Sequence, residues 1–192
     1  DISVDTKKAV NDLATQLNYQ PNTIALSLKQ SKTNTIGVII PEIAHFFFST
    51  VVSGIEDIAY SNGYNVIISQ SNESYEREVI DSQALFNSRV DGMLVSIARD
   101  TSDYSHFTRL INRNMPLVFF DRVVEGVNAS KVIVDDEQGA YEATQHLIEQ
   151  GYKRIAHLAG PQNLIISQNR LNGYKAAIAD NKYMIDDRII KT

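Results

Sequence analysis

The sequence contains no cysteine, which excludes disulfides, thiolate metal sites and a cysteine nucleophile and fits a reducing compartment such as the cytosol. No run approaches the roughly 18 apolar residues of a membrane span, and the first residues lack the charged-then-apolar layout of a secretion signal. A cytoplasmic chain with no membrane partner is expected. The sequence also lacks a G-x-S-x-G elbow, a P-loop and a G-x-G-x-x-G turn, and His45, His106, His146 and His157 are scattered. Neither an enzyme nor a cofactor is expected. Acidic residues are missing from Leu13 to Pro41, a stretch that carries Lys29 and Lys32 and can therefore approach a polyanion without like-charge repulsion.

What is present is enough for a real core, with 192 residues of which 43% are hydrophobic. The net charge of −5 hides a division: residues 1–35 hold four lysines against three aspartates, so the acidity lies in the remainder. A mildly basic end on an acidic body suits a modular protein better than an all-over nucleic-acid binder.

Asp1 to Asn18 reads as one amphipathic helix, with Ser3 as N-cap and Val10, Leu13, Ala14 and Leu17 at helical spacing, closed before Pro21. Asn22 to Gln30 can form two further turns, with Asn22 as N-cap and Ile24, Ala25 and Leu28 on one face. Two turns are too few to be stable alone, so this segment either rests on its own domain or orders against a partner such as DNA. From Ile36 the pattern becomes α/β. Strands are expected at 36–40, 64–69, 91–96, 116–120, 131–135 and 154–159, with helices at 47–62, 75–88, 103–114 and 137–150 between them. Strands apolar on both faces, joined by helices, indicate a doubly wound parallel sheet. A loop, another helix and the start of a strand at IIKT follow, so a second sheet is expected to have only begun.

In open sheets of this type ligands sit beyond the carboxyl ends of the strands, which directs attention to a few residues. Asp121-Arg122 ends a buried strand; a carboxylate and a guanidinium together suit vicinal hydroxyls, or they form a strand-end ion pair. Phe46, Phe47 and Phe48 follow the first strand and cannot all face one core, so they divide between a pocket and packing. Arg170 either reaches a ligand across a cleft or is a solvated helix residue. Asp135-Asp136-Glu137 fits a helix start better than a metal site, having no matching histidine spacing. No metal is expected.

The order and spacing of DISVDTKKAVNDLATQLNYQPNTIALSLKQSKTNTIGVIIP, GYNVII, VDGMLV, PLVFFDR, HLIEQGYKRIAHLAGP and RLNGYKAAI resemble the lactose-repressor (LacI/GalR) family of bacterial transcription regulators over nearly the whole chain. Their ligand domain is similar to periplasmic sugar-binding proteins. The resemblance implies a periplasmic-binding-protein-like doubly wound parallel sheet, with residues 1–19 as the third helix of a helix-turn-helix head and 20–35 as a hinge segment. Residues 36–152 would then be a nearly complete N-subdomain and 153–192 the start of a C-subdomain. It further implies a homodimeric repressor that binds operator DNA, with Leu28 entering the minor groove, Ala25 and Lys29 beside it and Asn22 near phosphate. The effector, a mono- or disaccharide, would contact Phe47, Phe48, Asp121, Arg122, Asp135 and Arg170. Leu164 and Ile166 stand where the purine-repressor branch carries an arginine and a threonine, which argues for a sugar over a nucleobase. A sugar-binding protein without a DNA role is the other reading, against which residues 1–31 speak.

Overall fold

The computed structural model describes residues 2–20, 22, 25, 29 and 32–191. The chain divides into two units, Asp1–Thr33 and Asn34–Thr192. In the first, α1 (Val4–Gln16) starts where the sequence places it, with the Ser3 hydroxyl accepting from the Thr6 amide at 3.2 Å. It ends before Asn18, which takes a left-handed φ of 49° of the kind asparagine tolerates best. Val10, Leu13 and Leu17 are exposed. Further on, Ala25 and Lys29 are helical, and the Ala25 amide donates to Asn22 Oδ1 at 3.2 Å, as expected of an N-cap. Leu28, with Ile24 and Leu26, lies outside the described residues.

The second unit alternates strand and helix: β1 (Thr35–Ile40), α2 (Phe46–Ser61), β2 (Asn65–Gln70), α3 (Tyr75–Asn87), β3 (Gly92–Val95), α4 (Ser105–Ile111), β4 (Leu117–Phe120) and β5 (Ser130–Val132). These strands form one parallel sheet in the order β2-β1-β3-β4-β5. Side-chain alternation sorts the core into two layers. Ile39, Met93, Val95, Leu117 and Phe119 pack with Leu85 of α3 and Phe107 and Leu110 of α4. Val38, Ile40 and Phe120 face the other way, onto Phe48 and Val52 of α2. At β1 both faces are covered, whereas toward β5 the α2 side of the sheet opens into a cavity over Leu94, Val118 and Val132.

The chain continues as α5 (Asp136–Glu149), β6 (His157–Leu158), α6 (Ile165–Asp180), a 3-10 turn (Asp187–Ile189) and β7 (Ile190–Lys191). β6 and β7 pair in parallel as a separate two-stranded sheet. The strand expected over 154–159 is thus only two residues long, because it has a single short partner. β5 is likewise shorter than the expected 131–135: it is the outer strand, and after Val132 the Val134 carbonyl turns to accept from the Asp136 amide at 3.1 Å. Among the described residues, no helix is long and apolar enough to cross a membrane.

Two contacts fix the elements around the sheet's carboxyl end. Glu78 of α3 is fully buried and accepts from the Ala98 amide (2.6 Å), the Thr101 hydroxyl (2.9 Å) and His106 Nε2 (3.1 Å). It thereby pins the loop after β3 to the helices beneath it. Gly173 of α6 lies so close to α5 that any Cβ would run into the Glu137 carbonyl and the Tyr141 amide. Only glycine permits that approach, and it sets Arg170 beside the first turn of α5.

Candidate effector site

β4 ends at Asp121, whose φ of 56° lies in the left-handed region, a strained setting for a residue other than glycine that concentrates at functional positions. The kink turns the carboxyl into a cavity of about 350 Å³ at the carboxyl edge of the sheet, within the size range of small-ligand pockets. Its floor is Leu94, Val118 and Phe120, and Phe47 of α2 and the segment 132–134 wall it. Asp121, Asp136 and Arg170 supply its polar end. An apolar surface with a few convergent polar groups can hold a ring-shaped ligand by its flat faces and read its hydroxyls at one side.

Asp121, just past β4, and Arg170, in α6, therefore line the same cavity. Arg170 Nε donates to Asp136 Oδ1 at 2.7 Å. Burial pushes the Asp121 carboxyl above the ordinary aspartate range, against the opposing pull of Arg122 and Arg170. The hydroxyl of Ser96, wholly buried and without a well-formed hydrogen bond, lies near enough to Asp121 to favour its ionised form slightly.

The other expected residues are arranged differently. Of the three phenylalanines, Phe46 is exposed and Phe47 half-exposed against the cavity, while Phe48 is buried in the core under β1 and β4. Helical geometry sends neighbouring positions about 100° apart, so Phe48 backs Phe47 edge-to-face, with ring centres 5.2 Å apart, and does not line the cavity. Arg122 points the other way from Asp121. Its Nη1 donates to Glu73 Oε2 at 2.7 Å and its guanidinium lies 5.8 Å over the Phe48 ring. Asp135 is an exposed N-cap of α5, accepting from the Gln138 amide at 2.9 Å. The next residue, Asp136, is the one that lines the cavity.

Sequence reasoning left three participants unassigned. Asp136 read as a helix-dipole acid, and only the fold brings Arg170 to it. Ser96 is the last residue of the strand expected over 91–96 and had no role in that reading. Glu73 carried no reading; the structure gives it a φ of 59° and makes it accept both from Arg122 and from the Arg99 amide, each at 2.7 Å. The Arg99 carbonyl in turn accepts from Asn163 at 2.6 Å, tying the loop before α6 to the loop after β3. Among the described residues, no group of His, Asp and Glu side chains could hold a metal ion.

Residues 33–190 match the family described as periplasmic binding proteins and sugar binding domain of LacI family. The chain is 34% identical over 187 residues to the HTH-type transcriptional repressor PurR of Vibrio atlanticus, covering 96% of this chain and 55% of that protein. To the ribose operon repressor of Halalkalibacterium halodurans it is 33% identical over 181 residues, covering 94% and 53%. A crystal structure of a periplasmic binding protein/LacI transcriptional regulator from Alkaliphilus metalliredigens QYMF, complexed with D-xylulofuranose, superposes with a TM-score of 0.70 at 27% identity, covering 80% of this chain and 55% of that one. The fold and the strand-end cavity define a periplasmic-binding-protein-like sensor domain. The chain belongs to the LacI family, and it spans about half the length of the curated relatives it matches.

Proposed function

We propose that this chain is part of a homodimeric, cytoplasmic DNA-binding transcription regulator, a repressor, controlled by a sugar bound between its two subdomains. The observation that carries the reading is the meeting of Asp121, Arg170 and Phe47 in one cavity, although they come from the turn after β4, from α6 and from α2. Asp121 is an acceptor for ligand hydroxyls, Arg170 a donor, and Phe47 a face for stacking. The two named repressors among the relatives support the regulatory role, and the D-xylulofuranose complex of the Alkaliphilus protein supports a carbohydrate effector. The relatives named are regulators rather than enzymes.

In this reading residues 36–152 and 153–192 belong to two subdomains that close on the sugar, with residues 1–19 closing the DNA-binding head and 20–35 forming the hinge. Closure changes the spacing of the paired hinges in the dimer. A marginal two-turn helix that gains a twin and a groove orders on operator DNA; one that loses them does not. Operator DNA must then alter sugar affinity by the same factor by which sugar alters operator affinity. Thermal shift of the full-length protein against free mono- and disaccharides tests the effector, since a specific ligand stabilises by mass action. One sugar should raise the midpoint, and Arg170→Ala should weaken its binding roughly 10- to 100-fold, the size expected for a hydrogen bond to a charged group. An unchanged affinity in that variant removes Arg170 and this cavity from the proposal.

A further inference from the structure

We propose that the cavity selects a free sugar and rejects its phosphorylated counterpart, because the one guanidinium in its lining, that of Arg170, is already matched by Asp136 and a second carboxylate, Asp121, lines the same polar end. The inference rests on reading this cavity as the effector site and concerns the charge of what it takes. Arg170 is held by Asp136 and Arg122 by Glu73, each at 2.7 Å. The Asp136 side chain is only 9% exposed while that of Arg170 is 54% exposed, and Arg122 and Glu73, outside the cavity lining, are each 19% exposed, so solvent screens the carboxylate end of the cavity pair incompletely. Asp121 adds a further carboxylate, with no basic side chain at ion-pair distance among the described residues. Ionised, it leaves the site with an excess of negative charge; protonated, it leaves the site neutral.

A phosphate group entering the cavity would have to pull Arg170 from Asp136 and leave Asp136 beside an anion. A hydroxyl makes no such demand. It donates to Asp121, or it accepts from one of the N–H groups that the Arg170 guanidinium retains after its ion pair, since an arginine carries five.

Isothermal titration of the full-length protein with inorganic phosphate, and with fructose, ribose and their phosphate esters, tests this. Wild type is expected to bind phosphate weakly, and Asp136→Asn to bind it at least about tenfold more tightly, as for relief of like-charge contact. Equal phosphate affinity in the two proteins overturns the inference, as does tighter binding by wild type of any phosphate ester than of its free sugar. If the variant captures phosphate while neither protein binds a free sugar, the charge-exclusion inference stands and the carbohydrate reading falls. Should Asp136→Asn fail to fold, Asp121→Asn, which removes the other carboxylate of the lining, carries the same comparison.

Discussion

Asp121 is where the demands of folding and of binding diverge. Its backbone is held in the left-handed region and its carboxyl is raised above the ordinary aspartate range by burial. The folded state therefore holds this proton more tightly than the unfolded chain does. Stability from this residue is undiminished at low pH and is lost as pH rises through the ordinary aspartate range toward the raised folded value. Asn tolerates the same backbone and carries no charge. Asp121→Asn is thus expected to raise the urea midpoint at pH 7, with the gain vanishing below about pH 3.9, the unfolded aspartate value, while sugar binding weakens. A lower midpoint at pH 7 would show that Asp121 is a net stabiliser. The dipeptide Asp121-Arg122 was legible as a strand-end pair of hydroxyl-reading groups. That its members point apart, one into the cavity and one to Glu73, was not, because a one-residue step reverses side-chain direction and Glu73 is 49 positions away.

At the level of elements, helix ends place the polar groups. α5 begins at the cavity wall, so its cap and its first helical residue have separate duties: Asp135 accepts from the Gln138 amide and Asp136 holds Arg170. Asp135→Ala should destabilise the fold by about 1 kcal/mol, as loss of an N-cap does, with sugar affinity in the full-length protein unchanged within twofold. A large loss of sugar affinity without loss of stability would return Asp135 to the ligand. The order of strands and helices was legible from hydrophobic runs and turn residues. The lengths of β5 and β6 were not, since a strand extends only as far as its neighbour offers backbone partners, and both lie at sheet edges.

For the whole molecule, the α/β unit, proposed to bind a sugar, and the segment that precedes it are proposed to act on each other through the hinge. Leu28 lies outside the described residues and enters through the sequence alone. Leu28→Ala in the full-length protein is expected to weaken operator binding at fixed salt, measured by gel shift, while sugar affinity without DNA is unchanged; equal operator affinity would remove Leu28 from the interface. By itself the sequence determined what depends on neighbours along the chain: the alternation of strand and helix, the caps at Ser3 and Asn22, and the presence of chemistry-bearing residues at strand ends. Only the tertiary structure decided which of those residues meet. Arg170 reaches Asp136 because Gly173 lets α6 press against α5, and Arg122 is taken up by Glu73 because parallel crossovers gather the ends of separate strands at one edge. Such pairings depend on distances through space, which no local periodicity encodes.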